Sequence, residues 1–442
     1  MTFTDHLSSL QADFAARYPQ SQNHQLRARH VMPGGNTRSV LHLDPFPIVI
    51  AHGHGDELTD IDGNTYIDCA GEFSAGLYGH DDPIILEALH EAMQGGLVLS
   101  GPNKYEVQLA ELLCARFPSV ERVRFCNSGT EANLFAIQTA RNFTGSGRIM
   151  VFEGAYHGGV LTFPKRPSPM TVPFDWVMAP FNNIETTRDL IRAQGADLAA
   201  ILVEPLMGAA GNLPAHVDFL RMLREEASRT GAILIFDEVK TSRLGPGGVQ
   251  GEAGVIPDMT SLGKYLGAGL PFGAFGGRAD LMDLYNPSRA DALQHAGTFN
   301  NNVMSMAGGL AGLKHLYPPQ RAADFLSRTE AFRQALDRDL VEAGLDVCVS
   351  GIGSMLSLHL GRRVPQAPAE VDPRSLMLRQ LVHLNALERG LILTSRGDIY
   401  LSLPMDDARF VQIREILVAA LRDALPFVTP ADEDSQHKEK TR

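Results

Sequence analysis

The chain has 442 residues, of which 44% are hydrophobic and 20% are charged, so it can bury a large core and is not a disordered chain. Its formal net charge of −12 disfavours nucleic acid and anionic membranes as general partners. The length favours two or three domain-sized units.

The first part of the chain predicts separate short elements. Leu7, Leu10 and Phe14 recur at helical spacing, which predicts an amphipathic arm up to about Tyr18. Farther along, residues 57–68 predict a β-hairpin, because two short strand-like segments flank an Asp-Gly turn.

From about residue 82 to residue 312, short apolar segments alternate with helical segments. This alternation predicts a mostly parallel sheet covered by helices on both sides. A helix predicted over 216–229 carries its apolar residues on one face. The strands are predicted at residues 123–126, 149–152, 200–203 and 232–236.

The last part of the chain predicts a long helix over 322–343, strands near 355–360 and 399–403, and a final helix over 407–425. The charged residues 432–442 predict a disordered tail. We therefore predict an α/β fold in which a smaller α+β domain is built from both chain ends. The predicted boundaries are 1–80 for the N-terminal arm and part of the small domain, 81–317 for the large domain, 318–430 for the rest of the small domain and 431–442 for the tail.

The cysteines and the chain start predict a cytoplasmic protein. No apolar run approaches the roughly 18 residues that a membrane span needs, and the first residues lack a basic-then-apolar signal pattern. Buried thiols in a reducing compartment are the expected state of the cysteines, and no metal site is expected. The cysteines, which fit no zinc or disulfide spacing, are Cys69, Cys114, Cys126 and Cys348.

A carboxylate and a lysine follow apolar segments in the centre of the chain. Asp237 comes directly after the predicted strand 232–236, and Lys264 lies in the later segment Ser-Leu-Gly-Lys-Tyr-Leu-Gly. Pyridoxal phosphate needs such a pair, because an amine holds its aldehyde as a Schiff base and an acid keeps its pyridine nitrogen protonated. Taken alone, the two residues fit equally a solvated lysine and a strand-end aspartate.

Three further predicted strands end in residues that suit the same ligand. Ser128 and Thr130 open a helix, where backbone N–H groups and the helix dipole favour a phosphate, although either residue also fits an ordinary helix cap. Tyr156 offers a ring for stacking, His157 could help to orient the ligand, and Glu204 could position a ring substituent. Since ligands bind beyond the carboxyl ends of strands in open α/β sheets, these weak signals indicate one crevice.

Motifs of several other enzyme classes are missing from the sequence. It contains no dinucleotide-binding glycine motif, no Walker lysine, no His-Glu-x-x-His pair and no Gly-x-Ser-x-Gly elbow. Dehydrogenase, nucleotide hydrolase, zinc hydrolase and serine hydrolase hypotheses therefore have no support.

The sequence resembles the class III aminotransferases, which are pyridoxal phosphate enzymes of fold type I. The resemblance is collinear from about residue 32 to residue 404, and it implies pyridoxal 5′-phosphate as cofactor, an amino donor and a keto-acid acceptor as substrates, and a homodimer with active sites at its interface. The segments that carry it are 127–133, 156–158, 203–205, 236–239, 263–264 and 297–299.

The resemblance also implies individual roles. Lys264 and Asp237 are the expected catalytic residues, since one would hold the cofactor and the other would pair with the ring nitrogen. Tyr156 and Val239 would pack on opposite faces of the ring. The residues expected to hold the phosphate are Ser128, Gly129, Thr130 and, crossing from the other subunit, Thr298.

Within this family the sequence resembles the β-phenylalanine aminotransferases of the group that includes glutamate-1-semialdehyde aminomutase. The resemblance implies that Arg38 and Arg396 bind substrate carboxylates. An enzyme that alternates between a β-amino acid and a dicarboxylic keto acid must bind carboxylates in more than one place, and arginine recognises them bidentately. A surface salt bridge is the alternative for either residue.

The sequence therefore predicts a ping-pong transaminase that moves the amino group of a β-amino acid, with (S)-β-phenylalanine as the best candidate, to 2-oxoglutarate or pyruvate. Glutamate-1-semialdehyde 2,1-aminomutase is the alternative, and a non-catalytic pyridoxal phosphate-binding protein is a more distant one. One departure from the family pattern is Lys240, where an apolar residue is expected after Val239. Side-chain alternation predicts that Lys240 points away from the ring.

Overall fold

A computed structural model describes residues 2–428 of the protein. Helices alternate with strands through the centre of the chain, as the sequence predicts. The helices are α1 (Phe3–Arg17), α2 (Pro19–Arg29), α3 (Pro83–Gln94), α4 (Lys104–Arg116), α5 (Gly129–Thr144), α6 (Ile184–Gln194), α7 (Val217–Thr230), α8 (Gly248–Ala253), α9 (Ala279–Met282), α10 (Val303–Ala311), α11 (Pro319–Glu342), α12 (Ser375–Glu388) and α13 (Asp407–Ala424).

The strands are short, and those of the central sheet are mostly apolar. They are β1 (Ile50–His54), β2 (Glu57–Asp60), β3 (Thr65–Asp68), β4 (Arg122–Cys126), β5 (Arg148–Phe152), β6 (Ala155–Tyr156), β7 (Thr162–Phe163), β8 (Asp175–Ala179), β9 (Leu198–Val203), β10 (Leu206–Met207), β11 (Leu213–Pro214), β12 (Ile233–Asp237), β13 (Met259–Gly263), β14 (Gly273–Gly277), β15 (Val347–Ile352), β16 (Met355–Leu360), β17 (Leu391–Ile392) and β18 (Asp398–Tyr400).

The central sheet has seven strands in the order β4-β14-β13-β12-β9-β5-β8. The pairs β12–β13, β12–β9, β9–β5 and β5–β8 are parallel, whereas β14 runs antiparallel to both of its neighbours. Strands β9, β12 and β13 are buried along their whole length, as parallel strands with both faces covered must be. The predicted mostly parallel sheet is confirmed.

Strand β14 was not predicted, because its sequence Gly-Ala-Phe-Gly-Gly is poor in residues that favour strands. Its glycines are required by close backbone approach: a Cβ atom on Gly273 would collide with the backbone of Ser128, and one on Gly276 would lie 2.7 Å from the carbonyl oxygen of Arg122. The strand therefore forms because its backbone fits closely between neighbouring segments, and not because its residues favour strand structure.

A four-stranded sheet, β1-β2-β3-β17, joins the two ends of the chain. The predicted hairpin is present as the antiparallel pair β2–β3, and β17 adds parallel to β3. A second sheet, β15-β16-β18, is antiparallel, and α11 and α12 pack on it. The small α+β unit built from both chain ends is thus confirmed, while the predicted boundaries between domains stay a prediction.

The predicted helices correspond to α1, α5, α7, α11 and α13 within a few residues, whereas α2 and α12 were not predicted. The predicted disordered tail, 432–442, lies outside the described residues. Within residues 2–428, no helix combines the length and the apolar character that crossing a bilayer requires. Over the same residues, no group of histidine, cysteine or acidic side chains is arranged to hold a metal ion.

Candidate active site

The carboxyl ends of β9, β12 and β13 lie side by side in the central sheet. Phe236 pairs with Val203 of β9, and Asp237 pairs with Ser261 of β13. Glu204 therefore follows the end of one strand, Asp237 ends the next, and Lys264 follows the third. The sheet brings these three predicted site residues to one edge.

Asp237 is buried and accepts hydrogen bonds on both carboxylate oxygens. Nδ2 of Asn133 donates to Oδ2 at 2.8 Å, Nδ1 of His157 lies 2.8 Å from the same oxygen, and the backbone N–H of Val239 donates to Oδ1 at 3.0 Å. These contacts hold the carboxylate in one orientation at the end of β12.

Asn133 is a site residue that sequence reasoning missed. It lies on α5, is 1% exposed, and also donates to the carbonyl oxygen of His157 at 2.9 Å. One signal could have identified Asn133: it is a polar residue on the buried face of a helix that begins at the candidate phosphate site. Its role is to tie α5 to the loop after β5 and to Asp237.

Three buried polar atoms near Asp237 have no hydrogen-bond partner among the described residues. They are Oδ1 of Asn133, Nε2 of His157 and Oγ of Ser261. An unsatisfied buried polar group costs about 1–3 kcal/mol, so a cluster of them fits a site that receives a polar ligand.

Ser128 caps helix α5 and stands at the predicted phosphate site. Its Oγ accepts from the N–H of Glu131 at 3.2 Å, while the Glu131 side chain accepts from the N–H of Asn127 at 2.9 Å. The cap interpretation is therefore correct for Ser128. It leaves the hydroxyl proton and the first N–H groups of α5 available to an anion, so the two roles are compatible.

Val239 connects the phosphate loop to the strand that precedes Lys264. A Cβ atom on Gly129 would lie 2.6 Å from Cγ1 of Val239, and one on Gly263 would lie 3.1 Å from the same atom. In the same way, Gly158 has no room for a Cβ because Thr130 packs against it. Because Gly129, Gly158 and Gly263 lack a Cβ atom, the loops that carry them can approach closely around one cleft. Larger residues at these positions would fill that cleft.

Lys264 begins the turn after β13 with a φ of 55°, in the left-handed region that L residues rarely adopt. Such a conformation costs about 1–3 kcal/mol and is typical of functional positions. Burial, followed by the charge of Lys240, lowers the pKa of Lys264 to about 8. Its amine is therefore neutral far more often near neutral pH than an ordinary lysine amine.

Glu204 is 5% exposed and does not face solvent. Its Oε1 accepts from the N–H of Tyr156 at 2.9 Å, and its Oε2 accepts from the N–H of Gly208 at 3.0 Å. Burial raises the pKa of this carboxyl group. Glu204 thus fixes the loop that presents Tyr156, whose side chain is exposed.

Arg38 forms an ion pair with Glu72, and its guanidinium lies 5.5 Å from the centre of the Phe73 ring. The charges of Arg38 and Glu72 both influence the pKa of Lys264, with opposite signs. Glu72 and Phe73 have φ values of 46° and 54°. Glu72 was missed as a partner of Arg38, because no local pattern links two residues so far apart in the sequence.

The remaining predicted site residues, Arg396 and Thr298, are exposed. Arg396 forms no ion pair with any residue in the described range 2–428, and its charge acts on Lys240. Thr298 lies on the segment before α10, where Oδ1 of Asn300 accepts from Nδ2 of Asn127 at 3.0 Å. That segment therefore borders the loop of Ser128.

The class-III aminotransferase family model matches residues 40–421 of the chain. A β-phenylalanine transaminase of Variovorax paradoxus is 48% identical over 398 residues, which make up 89% of this chain and 91% of that protein. A glutamate-1-semialdehyde 2,1-aminomutase of Bordetella avium (strain 197N) is 36% identical over 420 residues, 88% of this chain and 98% of that protein.

Solved structures give the same result for the fold. A β-phenylalanine aminotransferase from Variovorax paradoxus superposes with a TM-score of 0.94 at 44% identity, over 97% of this chain and 100% of that chain. A transaminase with pyridoxal phosphate bound superposes with a TM-score of 0.84 at 32% identity, over 92% of this chain and 98% of that chain. The predicted fold type I architecture is confirmed.

Proposed function

The chain belongs to the class-III aminotransferases, and on this premise we propose that it transfers the amino group of a β-amino acid to a keto acid. We propose (S)-β-phenylalanine as the donor, 2-oxoglutarate or pyruvate as the acceptor, and a ping-pong order of the two half-reactions. The observation that carries the proposal is the 48% identity to a β-phenylalanine transaminase over nearly the whole of both chains.

The cofactor of the protein is pyridoxal 5′-phosphate, and the cleft fits it. The cleft offers the groups that such a molecule requires: a partly buried lysine, an oriented carboxylate, buried polar atoms without a partner among the described residues, and a helix that starts at a glycine. When bound, the cofactor supplies an aldehyde that links covalently to amines and a ring that accepts negative charge from the neighbouring carbon.

We assign the covalent link to Lys264. Its amine would hold the cofactor through the aldehyde, and its lowered pKa favours the neutral form that can bond to a carbonyl carbon. Once displaced by an incoming amine, the free lysine would take the proton from the substrate carbon that bears the nitrogen and would pass it to the cofactor. Asp237, oriented by Asn133 and His157, is assigned to the ring nitrogen, where its negative charge favours the protonated ring.

We assign the phosphate to the N-terminus of α5, where Ser128, Gly129 and Thr130 present hydroxyl and N–H donors. Tyr156 and Val239 are proposed to pack on the two faces of the ring. His157 is proposed to hold Asp237 in place, because its Nδ1 contacts the Asp237 carboxylate. Glu204 is proposed to hold Tyr156, because its carboxylate accepts from the Tyr156 N–H.

Arg38 and Arg396 are proposed to bind substrate carboxylates. Because Glu72 already pairs with Arg38, a substrate carboxylate must displace or share that contact. Arg396 has no such internal competitor within the described residues and is free to bind a second carboxylate. Two carboxylate contacts on different segments suit an enzyme that handles a β-amino acid and a dicarboxylic keto acid in turn.

The test is a screen of amino donors against 2-oxoglutarate and pyruvate. We expect rapid transfer from (S)-β-phenylalanine and slow reaction of amines without a carboxylate. The aminomutase alternative predicts a different result: glutamate-1-semialdehyde should become 5-aminolevulinate without any added acceptor. If that conversion is fast and β-phenylalanine is inert, the substrate proposal is wrong while the cofactor chemistry stands.

Replacing either arginine is expected to weaken binding of the carboxylate-bearing substrate. Arg38→Ala and Arg396→Ala should each raise the apparent KM at least ~10-fold, because a hydrogen-bonded charge pair contributes about 1.5–3 kcal/mol. Simple amines should be much less affected by Arg38→Ala. Steady-state kinetics with both substrate types measures this, and Arg338→Ala, an exposed arginine on α11, is the matched control. An unchanged KM in both variants would contradict the assignment.

We also propose a homodimer in which Thr298 completes the phosphate site of the other subunit. Three consecutive apolar residues, Leu97, Val98 and Leu99, are 55%, 84% and 47% exposed, and Phe299 is 63% exposed. The two segments adjoin, since Nδ2 of Asn103 donates to the carbonyl oxygen of Asn301 at 2.8 Å. An exposed apolar patch of this kind supports a protein partner.

Mixed dimers test this arrangement. When Lys264→Ala and Thr298→Ala chains are combined, one site of each mixed dimer receives both Lys264 and Thr298 if the threonine crosses the interface. About half of the wild-type turnover per mixed dimer is then expected. No gain over the separate variants, or a monomeric mass by light scattering, would contradict the proposal.

A further inference from the structure

A buried polar network joins the segment after β12 to strand β18. Lys240 lies just beyond β12, and its Nζ donates to Oη of Tyr400 at 2.8 Å. The Tyr400 hydroxyl in turn donates to Oδ2 of Asp398 at 3.4 Å, and the Ser357 hydroxyl donates to Oδ1 of the same carboxylate. Tyr400 and Asp398 are 1% and 3% exposed, so these contacts lie inside the protein, where an unmade hydrogen bond is costly.

Asn212 extends the network to the loop that follows β10. Its Oδ1 lies 3.5 Å from Nζ of Lys240, and its Nδ2 donates to the carbonyl oxygen of Leu356 in β16 at 2.9 Å. On the same stretch of chain, a Cβ atom on Gly208 would collide with the Lys240 amine, and Glu204 accepts from the N–H of Gly208. Lys240 is therefore packed where the end of β12, the loops after β9 and the sheet β15-β16-β18 meet.

The turn between β17 and β18, residues 394–398, carries Arg396, and we term it the Arg396 turn. Oγ1 of Thr394 accepts from the N–H of Asp398 at 2.9 Å, and the carbonyl oxygen of Thr394 accepts from the N–H of Gly397 at 2.9 Å. Gly397 has a φ of 75°, which a residue without a side chain adopts at little cost. The turn is thus closed by its own hydrogen bonds, and its position depends on that of Asp398.

We propose that Lys240 and Tyr400 are positioning residues whose hydrogen bond fixes the Arg396 turn relative to the end of β12. The link is a series of direct contacts that runs from Lys240 through the Tyr400 hydroxyl to Asp398, the residue that closes the turn. Neutral and protonated amines both donate hydrogen bonds, so the link does not depend on the charge of Lys240. The inference rests on the proposed function, in which Arg396 binds a substrate carboxylate.

The physical reason is the geometry of carboxylate recognition. A guanidinium that holds a carboxylate bidentately must lie at a set distance from the place where the substrate amine reacts. Asp237 ends β12 and Lys240 follows on the same segment, so the network anchors the Arg396 turn to the strand end that carries the proposed partner of the ring nitrogen. Loosening this anchor lets the guanidinium occupy more positions, which weakens substrate binding and leaves the chemical step at saturation unchanged.

The test is steady-state kinetics of the cofactor-loaded, full-length protein with (S)-β-phenylalanine and 2-oxoglutarate. Lys240→Met and Tyr400→Phe each remove one side of the hydrogen bond, while Lys240→Gln keeps a donor. Each change is also made in an Arg396→Ala background. The matched controls are Lys314→Met, at an exposed lysine, and Tyr285→Phe, which loses a buried hydroxyl contact outside the network.

We expect Lys240→Met and Tyr400→Phe each to raise the apparent KM by roughly 3- to 10-fold, the effect of one buried hydrogen bond, with kcat unchanged. The affected substrate should be the one whose KM rises in Arg396→Ala alone. Lys240→Gln should raise KM less, and both controls should keep the wild-type value. The double variant Lys240→Met/Tyr400→Phe should not exceed the larger single effect, because both changes break the same contact.

In the Arg396→Ala background, neither change should raise KM further, since the guanidinium that the network positions is gone. An equal rise in that background would overturn the proposal, because the network would then act on the site in general. Unchanged KM in both Lys240→Met and Tyr400→Phe, or a loss confined to kcat, would overturn it as well. The visible band of the bound cofactor, recorded for each variant, shows that the fold and the cofactor site are intact.

The Arg396→Ala variant alone separates this inference from the proposed function. If it raises KM and the network variants do not, only the roles of Lys240 and Tyr400 are wrong. If it leaves KM unchanged for both substrates, the proposed role of Arg396 is wrong and the inference falls with it.

Discussion

Replacing Lys264 with alanine is expected to abolish the borohydride-reducible cofactor link and to lower turnover by at least ~10⁴-fold, the scale seen when a covalent nucleophile is lost. The wild-type protein should be yellow, and borohydride should bleach its visible band. The reason lies in the structure: Lys264 follows β13 at the edge where Asp237 ends β12, and burial with the charge of Lys240 lowers its pKa to about 8.

Absorbance spectroscopy and peptide mass analysis after reduction measure this effect. Lys314→Ala is the control, because Lys314 is exposed and lies outside the cleft segments. A Lys264→Ala protein that kept both a reducible adduct and full turnover would show that another amine holds the cofactor.

Replacing Asp237 with asparagine is expected to lower turnover at least ~10²-fold while the cofactor stays bound. The change removes the negative charge proposed to face the ring nitrogen and hardly alters the side-chain volume. It also places an amide NH₂ among groups that donate, since Asn133 and Val239 both donate to the present carboxylate. Steady-state kinetics and the visible spectrum of the same preparation measure the two effects together.

Asp218→Asn is the matched control, because Asp218 is an exposed aspartate on α7 that pairs only with Arg221 among the described residues. We expect its kinetics to equal those of the wild type. Near-normal turnover of Asp237→Asn with bound cofactor would mean that a different group holds the proton on the ring nitrogen.

Local patterns were sufficient to identify β9 and β12, two of the three strands that carry Glu204, Asp237 and Lys264 at their ends. Strands β9 and β12 are short apolar runs buried on both faces, and α7 carries its apolar residues on one face, so period and composition identify both. The positions of Asp237 and Lys264 after such segments, together with a phosphate-suited helix start, indicated the cofactor. Strand β14 could not be predicted in this way, because its glycines are required by the close approach of neighbouring backbone and are not residues that favour strands.

The periodicity of the sequence predicted the fold class, and its resemblance to the class III aminotransferases predicted the cofactor and the roles proposed for Lys264 and Asp237. Only the tertiary structure decided which side chains meet: Asn133 with Asp237, Glu72 with Arg38, and Lys240 with Tyr400 beside the cleft. Each pair joins segments far apart in the chain. Such contacts are set by how the sheet and loops pack, and no local pattern records that packing.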